Sequence, residues 1–174
     1  MMVWQILFWT SVGAIAFSYL LYPFILWIIS KLKKPLQFNA YASDEDLPTV
    51  SIVMAAYNEE LILTQKIESI FNTKYPLHNI ELLIGSDNST DGTNKILKEA
   101  ERQYPQIRLK LFTQRQGKIS IINQLQQLAQ GELLIVTDAN VLFNPDTLPE
   151  LIAPFADDRV GLVDTHMTNY GLLS

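Results

Sequence analysis

At 174 residues the chain is long enough for one ordinary domain and too short for two. With 48% hydrophobic and 18% charged residues it does not have the composition of a disordered chain, and a net charge of -5 makes nucleic acid a poor partner. The absence of cysteine excludes disulfides, thiolate metal sites and cysteine nucleophiles.

Residues 1–30 carry no charged side chain. A helix crosses hydrocarbon with about 20 apolar residues. The run 3–29 exceeds that, so a single transmembrane helix, tilted or bent, is expected. Pro23 is placed to supply a bend, because it lacks a backbone donor. Trp4, Trp9, Tyr19, Tyr22 and Trp27 include candidates for interfacial belts. Lys31, Lys33 and Lys34 follow at once, and this basic cluster favours a single-pass protein of the cell membrane with its domain in the cytoplasm. The alternatives are a cleaved signal peptide, which would start basic and have a shorter apolar centre, and a buried core helix. The reading adopted is anchor over 1–30, juxtamembrane linker over 31–47 and folded domain over 48–174.

Short apolar runs then alternate with helical spacing. Residues 50–55 fit a buried parallel strand, and Leu63, Ile67, Ile70 and Phe71 recur at helical spacing. A second strand is expected over 80–84, then a helix on Ile96, Leu97, Ala100 and Tyr104, then a strand over 107–112. Ile119, Ile122, Leu125 and Ala129 line one face of a third helix, with Gly131 as its stop. A strand over 133–137 precedes a helix opened by Asn144, Pro145 and Asp146, and 160–163 is a candidate fifth strand. This order predicts an α/β domain, Rossmann-like, with a mostly parallel sheet covered by helices on both faces.

Ligands of such sheets sit beyond the carboxyl ends of the strands. After the first strand stand Ala56, Tyr57, Asn58 and Glu59: a small residue for close backbone approach, a stacking face and polar contacts, or else simply a turn and an acidic helix start. After the second stands Asp87, an acceptor for a nucleobase imide or ribose hydroxyl, and then Asp91, better placed as a helix cap. After the fourth, Asp138 and Asn140 offer oxygens at alternate positions for a hard cation such as Mg2+ or Mn2+, or else form an Asx turn. Arg115 and Lys118 precede a helix and suit a diphosphate, or else a solvated basic turn.

Taken together and in order, these motifs resemble family 2 glycosyltransferases of the cellulose-synthase-like kind. Residues 48–53 leading to Ala56-Tyr57-Asn58-Glu59 resemble the family's opening strand, and Asp87-Asn88-Ser89-Thr90-Asp91-Gly92-Thr93 its second acidic motif. Gly117-Lys118 with Asn123, Gly131-Glu132, and Asp138-Ala139-Asn140 resemble its Gly-Lys…Asn helix and the strand ending in the DxD motif. Asn144-Pro145-Asp146-Thr147-Leu148 fits the family's segment just after the DxD motif. The resemblance covers 48–164 and implies a GT-A fold, a nucleotide-diphosphate-sugar donor with UDP as the default, a divalent cation (Mg2+ or Mn2+) and a glycan or lipid-linked acceptor. It places Ala56, Tyr57, Glu59, Asp87, Lys118 and Asp138 at the donor, and Asp138 and Asn140 at the metal.

Three departures accompany it. Ser86 replaces the first of the paired acids common after the second strand, and Asn140 replaces an acid with a weaker neutral ligand. The family's catalytic base and its Gln-x-x-Arg-Trp motif have no counterpart in these residues, Asp164 and His166 being the only late acids or bases near a strand end. The expectation is an inverting hexosyltransferase of polysaccharide biosynthesis whose donor-binding half lies here, with 1–174 alone incomplete for transfer. Two other readings remain: a noncatalytic nucleotide-sugar-binding or scaffold membrane protein, and a nicotinamide-binding Rossmann domain, which lacks its Gly-x-Gly-x-x-Gly turn.

Overall fold

The structure, a computed structural model, describes residues 2–32, 41, 43–165 and 168. The chain divides into two compact units, 1–37 and 38–174.

In the first unit the apolar segment is one helix, Met2–Leu32, with mean hydropathy 2.0 over its most apolar window. It is long and apolar enough to cross a membrane, and none of that window is buried against protein. It consists of α1 (Met2–Ala16), a π-helical turn (Phe17–Leu21) and α2 (Tyr22–Leu32), so it runs past the expected end at 30. The Tyr22 N–H bonds to the Phe17 carbonyl, one residue wider than an α-turn. Pro23 follows and brings no N–H for the carbonyl one turn back, which is where a helix ladder yields. Lys31 lies 6.0 Å from the Trp27 ring. Lys33 and Lys34 lie outside the described residues.

The second unit is α/β. Its strands are β1 (Val50–Ala56), β2 (Ile80–Asp87), β3 (Ile107–Phe112) and β4 (Leu133–Asp138). They form one parallel sheet in the order β3-β2-β1-β4. Between them run α3 (Leu63–Phe71), α4 (Thr93–Gln103) and α5 (Lys118–Gln126), and α6 (Thr147–Ile152) follows β4. Val50, Ile52, Met54, Leu82 and Ile84 join the main core with α3, α4 and α6. Val53 and Leu83, of opposite pleat, pack on Ile121 and Leu125 of α5 on the other face. Being covered on both sides, β1 and β2 have no polar alternation in their apolar stretches. Each fully buried Ile or Leu contributes about 1.5–3 kcal/mol.

Four expectations are corrected. Residues 160–163 are not a strand, and the ladder ends at β4 among the described residues: no neighbouring strand pairs with this apolar tetrapeptide, and the Val160 N–H instead closes a turn on the Asp157 carbonyl at 2.8 Å. The last helix begins at Thr147 rather than at Asn144: the Asn144 side chain accepts the Asp146 N–H at 2.9 Å, an Asx turn that precedes the helix. On α5 the buried pair is Ile121 and Leu125, whereas Ile119 is 78% exposed. The helix also ends at Gln126, so Gly131 does not stop it.

Gly131 has another use. Its N–H donates to Ser51 Oγ at 2.7 Å and to Glu81 Oε1 at 3.2 Å. A Cβ there would stand 2.5 Å from the Ser51 nitrogen and 2.7 Å from the Val50 carbonyl carbon. Backbone atoms of a central strand do not swing aside, so Gly131→Ala is expected to cost about 3 kcal/mol, read as a lower urea midpoint.

Glu81 gathers this amino-terminal edge of the sheet, accepting from Ser51, the Gln130 and Gly131 N–H groups and Arg108. Burial alone would raise its carboxyl, but these hydrogen bonds outweigh it and hold the group below its ordinary 4.5. A depressed folded value contributes stability that is present above the unfolded value and lost as pH falls through the folded one. Urea midpoints should therefore decline below pH 4.5, and less steeply in Glu81→Gln.

Candidate functional site

The chain runs outward through β1, β2 and β3 and then returns to place β4 on the far side of β1. The strand order reverses there, and the crevice at the carboxyl ends of β1, β2 and β4 is where such a sheet takes a ligand. Ala56 ends β1, with Tyr57 just beyond it; Asp87 ends β2 and Asp138 ends β4.

Register fixes which way the acids point. Ala55 pairs with both Gly85 and Asp138. A Cβ on Gly85 would meet Ile121 of α5, so this pleat faces α5. Asp87 lies two residues on and shares it. Thr137, of opposite pleat, bonds to Lys66 of α3, which turns Asp138 toward the α5 side. The two carboxylates, far apart in sequence, therefore share one face of the sheet.

The segment leading into α5 spans the distance between them. Asp87 is 3% exposed and accepts the Gln116 N–H at 2.6 Å and the Gly117 N–H at 3.0 Å. Gly117 has φ of 83°, a left-handed conformation that glycine adopts without strain. The next residue, Lys118, pairs through its ammonium with Asp138 Oδ1, both side chains about half exposed. Arg115 Nε lies 3.9 Å from Asp87 Oδ2, and its guanidinium stands 3.8 Å from the Tyr57 ring centroid. Tyr57, Arg115, Asp87, Lys118 and Asp138 thus form one connected constellation. Arg115, expected at a diphosphate or in a solvated turn, is seated on Tyr57.

The remaining candidates divide. Ala56 is 1% exposed with its methyl in the main core, so it contributes shape rather than a contact. Asn58, left-handed at φ 54°, accepts the Thr90 N–H at 2.9 Å and donates its own N–H to Ser89 Oγ at 3.2 Å. The Glu59 N–H donates to Thr93 Oγ1 at 2.8 Å. Asp91 accepts the Thr93 N–H at 3.0 Å from one residue before the N-cap of α4, which is Gly92 rather than Asp91. These bonds stitch the loop after β1 to the loop after β2 and hold Tyr57 beside Asp87. Asn140 is exposed on the turn after Asp138. Asp164 is exposed and its Oδ1 accepts the Thr165 N–H at 2.8 Å; His166 lies outside the described residues.

A divalent cation fits this donor set only in part. Among the described residues no group of three or more His, Cys, Asp or Glu is placed to hold a metal ion. Asp138 and Asn140 offer one carboxylate and one amide, a number suited to an ion completed by substrate phosphate oxygens rather than caged by protein. The Lys118 ammonium on Asp138 marks where positive charge is favoured.

One residue escaped sequence reasoning altogether. Lys66 is fully buried on α3, its ammonium donating to Thr137 Oγ1 at 2.9 Å and to the Val141 carbonyl, 3.9 Å from the Phe143 ring centroid. The signal was a lysine on a stripe of Leu63, Ile67 and Ile70 at helical spacing.

The sequence profile described as Glycosyl transferase family 2 matches residues 51–172, most of the chain. A beta-monoglucosyldiacylglycerol synthase of Nostoc sp. is 37% identical over 119 residues, spanning 67% of this chain and 25% of that protein. A probable glycosyltransferase, YdaM, of Bacillus subtilis is 30% identical over 114 residues, spanning 64% of this chain and 26% of that protein. The chain thus spans about a quarter of the length of these relatives. Among solved structures, a mannosyltransferase from Pyrobaculum calidifontis in complex with GDP-Man and Mn2+ superposes with a TM-score of 0.73 at 28% identity, over 85% of this chain and 44% of that one. TarS of S. aureus with UDP-GlcNAc, at 23% identity and a TM-score of 0.53 over 59% of this chain and 29% of that one, shares the fold. The fold is GT-A, and the chain belongs to glycosyl transferase family 2.

Proposed function

We propose that this chain supplies the donor-binding half of a membrane glycosyltransferase that moves a hexosyl group, with inversion, from a nucleoside-diphosphate sugar to a lipid or glycan acceptor. The observation that carries the reading is the convergence of Tyr57, Asp87, Lys118 and Asp138 at the switch point of the sheet. Tyr57 presents an aromatic face to the base, and Asp87 an acceptor to a base N–H or ribose hydroxyl. Glu59 flanks the nucleoside. Lys118 meets the diphosphate as a point charge. Asp138 and Asn140 would hold Mg2+ or Mn2+, which offsets charge on the departing nucleoside diphosphate.

The structural relative bound to GDP-Man leaves GDP as well as UDP open as the leaving group, and the diacylglycerol of the Nostoc enzyme's name favours a lipid acceptor. Lys31 at the end of the apolar helix, with Lys33 and Lys34 next in sequence, favours a cytoplasmic domain. Asn140 in place of an acid favours a second, noncatalytic reading in which nucleotide binds without transfer.

The test is calorimetric titration of the detergent-solubilised chain with UDP and with GDP, with and without Mn2+. Binding of one nucleotide, tightened by Mn2+, is the expected result. Failure of both to bind would sink the reading.

A further inference from the structure

We propose that Lys66 is the positioning residue of the Asp138–Asn140 turn: its buried ammonium clasps the turn from beneath by both ends and so sets the geometry in which the two oxygen ligands face a cation. The proposal rests on the donor-site reading of that turn.

Thr137 is the residue before the turn and Val141 the residue after it, and the Lys66 ammonium bonds to both. It also stands 3.9 Å from the Phe143 ring centroid. Lys66 itself makes no hydrogen bond to Asp138 or Asn140, the oxygen ligands between these two grips. A second tie from the same helix runs parallel: Ser69 Oγ accepts the Phe143 N–H at 3.1 Å while donating to the Lys66 carbonyl at 2.7 Å. The turn itself contributes little: a weak Val141 N–H to Asp138 carbonyl bond at 3.3 Å and a marginal one from Thr137 Oγ1 to the same carbonyl at 3.5 Å. The ligand-bearing segment therefore takes its shape from α3.

A lysine is an expensive way to fill a core. Burial pushes the Lys66 ammonium down to about 7, with the Asp138 carboxylate opposing. The burial is tolerated because the ammonium has hydrogen-bond acceptors in Thr137 Oγ1 and the Val141 carbonyl. Packing alone thus gives no reason for lysine here, whereas holding two oxygens that flank a ligand turn does. Partners that orient ligands in this way typically change metal affinity by 10–100-fold when removed.

Two effects of removing the charge oppose each other, and their sign decides. Deleting a positive charge near a cation site strengthens cation binding if the turn keeps its shape. Releasing the turn weakens it. Lys66→Met keeps volume and removes the donors. In the full chain, the gain in UDP affinity produced by Mn2+ is expected to shrink about tenfold. In the absence of ligand, the Val141 amide should exchange faster, while the amides of β1 and β2 keep their protection. The melting temperature should fall modestly, because the Val141 carbonyl loses its donor, while a cooperative transition with β1 and β2 still protected separates lost positioning from lost folding.

A Mn2+ gain that is unchanged or larger in Lys66→Met overturns the proposal, as does unchanged exchange at Val141. Failure of the unaltered chain to bind UDP or GDP with Mn2+ overturns the donor-site reading first and this proposal with it. If Lys66→Met does not fold, Thr137→Val decides, since it removes one grip without a change of size. A reduced Mn2+ gain in that variant supports the proposal, and an undiminished one overturns it.

Discussion

Asp87→Ala is expected to lower the stability of the domain by about 1.5–3 kcal/mol and to abolish nucleotide binding. The two losses have separate causes. The carboxylate is nearly buried yet accepts two backbone N–H groups, at Gln116 and Gly117, and faces Arg115. Hydrogen bonds to a charged acceptor are worth about 1.5–3 kcal/mol each when their donors are then stranded. Here the donors are not fully stranded, because Gln116 and Gly117 are exposed and water reaches them. That access roughly halves the sum for the two bonds, leaving about 1.5–3 kcal/mol. Binding suffers more than stability because the segment freed by the substitution is the one that carries Lys118. Asp87→Asn retains one acceptor oxygen but sets an amide NH2 against the second N–H, so it should fall between the two. The measurements are urea midpoints and calorimetric titration with UDP or GDP. An Asp87→Ala protein with the original midpoint would show that this carboxylate does not hold the loop.

The same residue shows where sequence reasoning reached and where it stopped. The apolar run that announced β2 ends at Ile84, but the ladder continues through Gly85 and Ser86 to Asp87, because backbone pairing with β1 and β3 does not depend on side-chain polarity. Strand existence was legible from burial on both faces; the polar ends that form the site were legible only as residues that come after a strand. That Asp87 and Asp138 share a face follows from register, which no periodicity within one strand encodes. Arg115 was visible as a charge, not as a cation on Tyr57, since the two are 58 positions apart and meet only through the crossover of α5. The candidate strand at 160–163 failed for the converse reason: an apolar run becomes a strand only where a neighbour pairs with it. Lys66 was hidden because a lysine between Leu63 and Ile70 reads as a snorkelling side chain at a helix edge.

Lys118→Ala should weaken nucleotide-diphosphate binding by about tenfold or more while stability changes by no more than about 0.5 kcal/mol. The ion pair with Asp138 has side chains 55% and 47% exposed, so solvent screens it and its loss costs the fold little. A diphosphate oxygen in that position is a different case: it brings concentrated charge to an ammonium already aimed at the crevice. Asp138→Ala gives the contrasting signature. It releases the Lys118 ammonium from its partner, so cation-free nucleotide affinity should not fall, whereas the tightening produced by Mn2+ should disappear. In Lys118→Ala the cation-free affinity falls and the Mn2+ response survives, because Asp138 and Asn140 remain. If instead both variants lost the Mn2+ response to the same extent, the lysine and the acid would be acting as one unit at the cation, and the division between a diphosphate-binding lysine and a metal-binding acid would be wrong. If neither variant changed binding while both lowered the urea midpoint, the pair would be a strut between α5 and β4, and the crevice would have to take its ligand elsewhere.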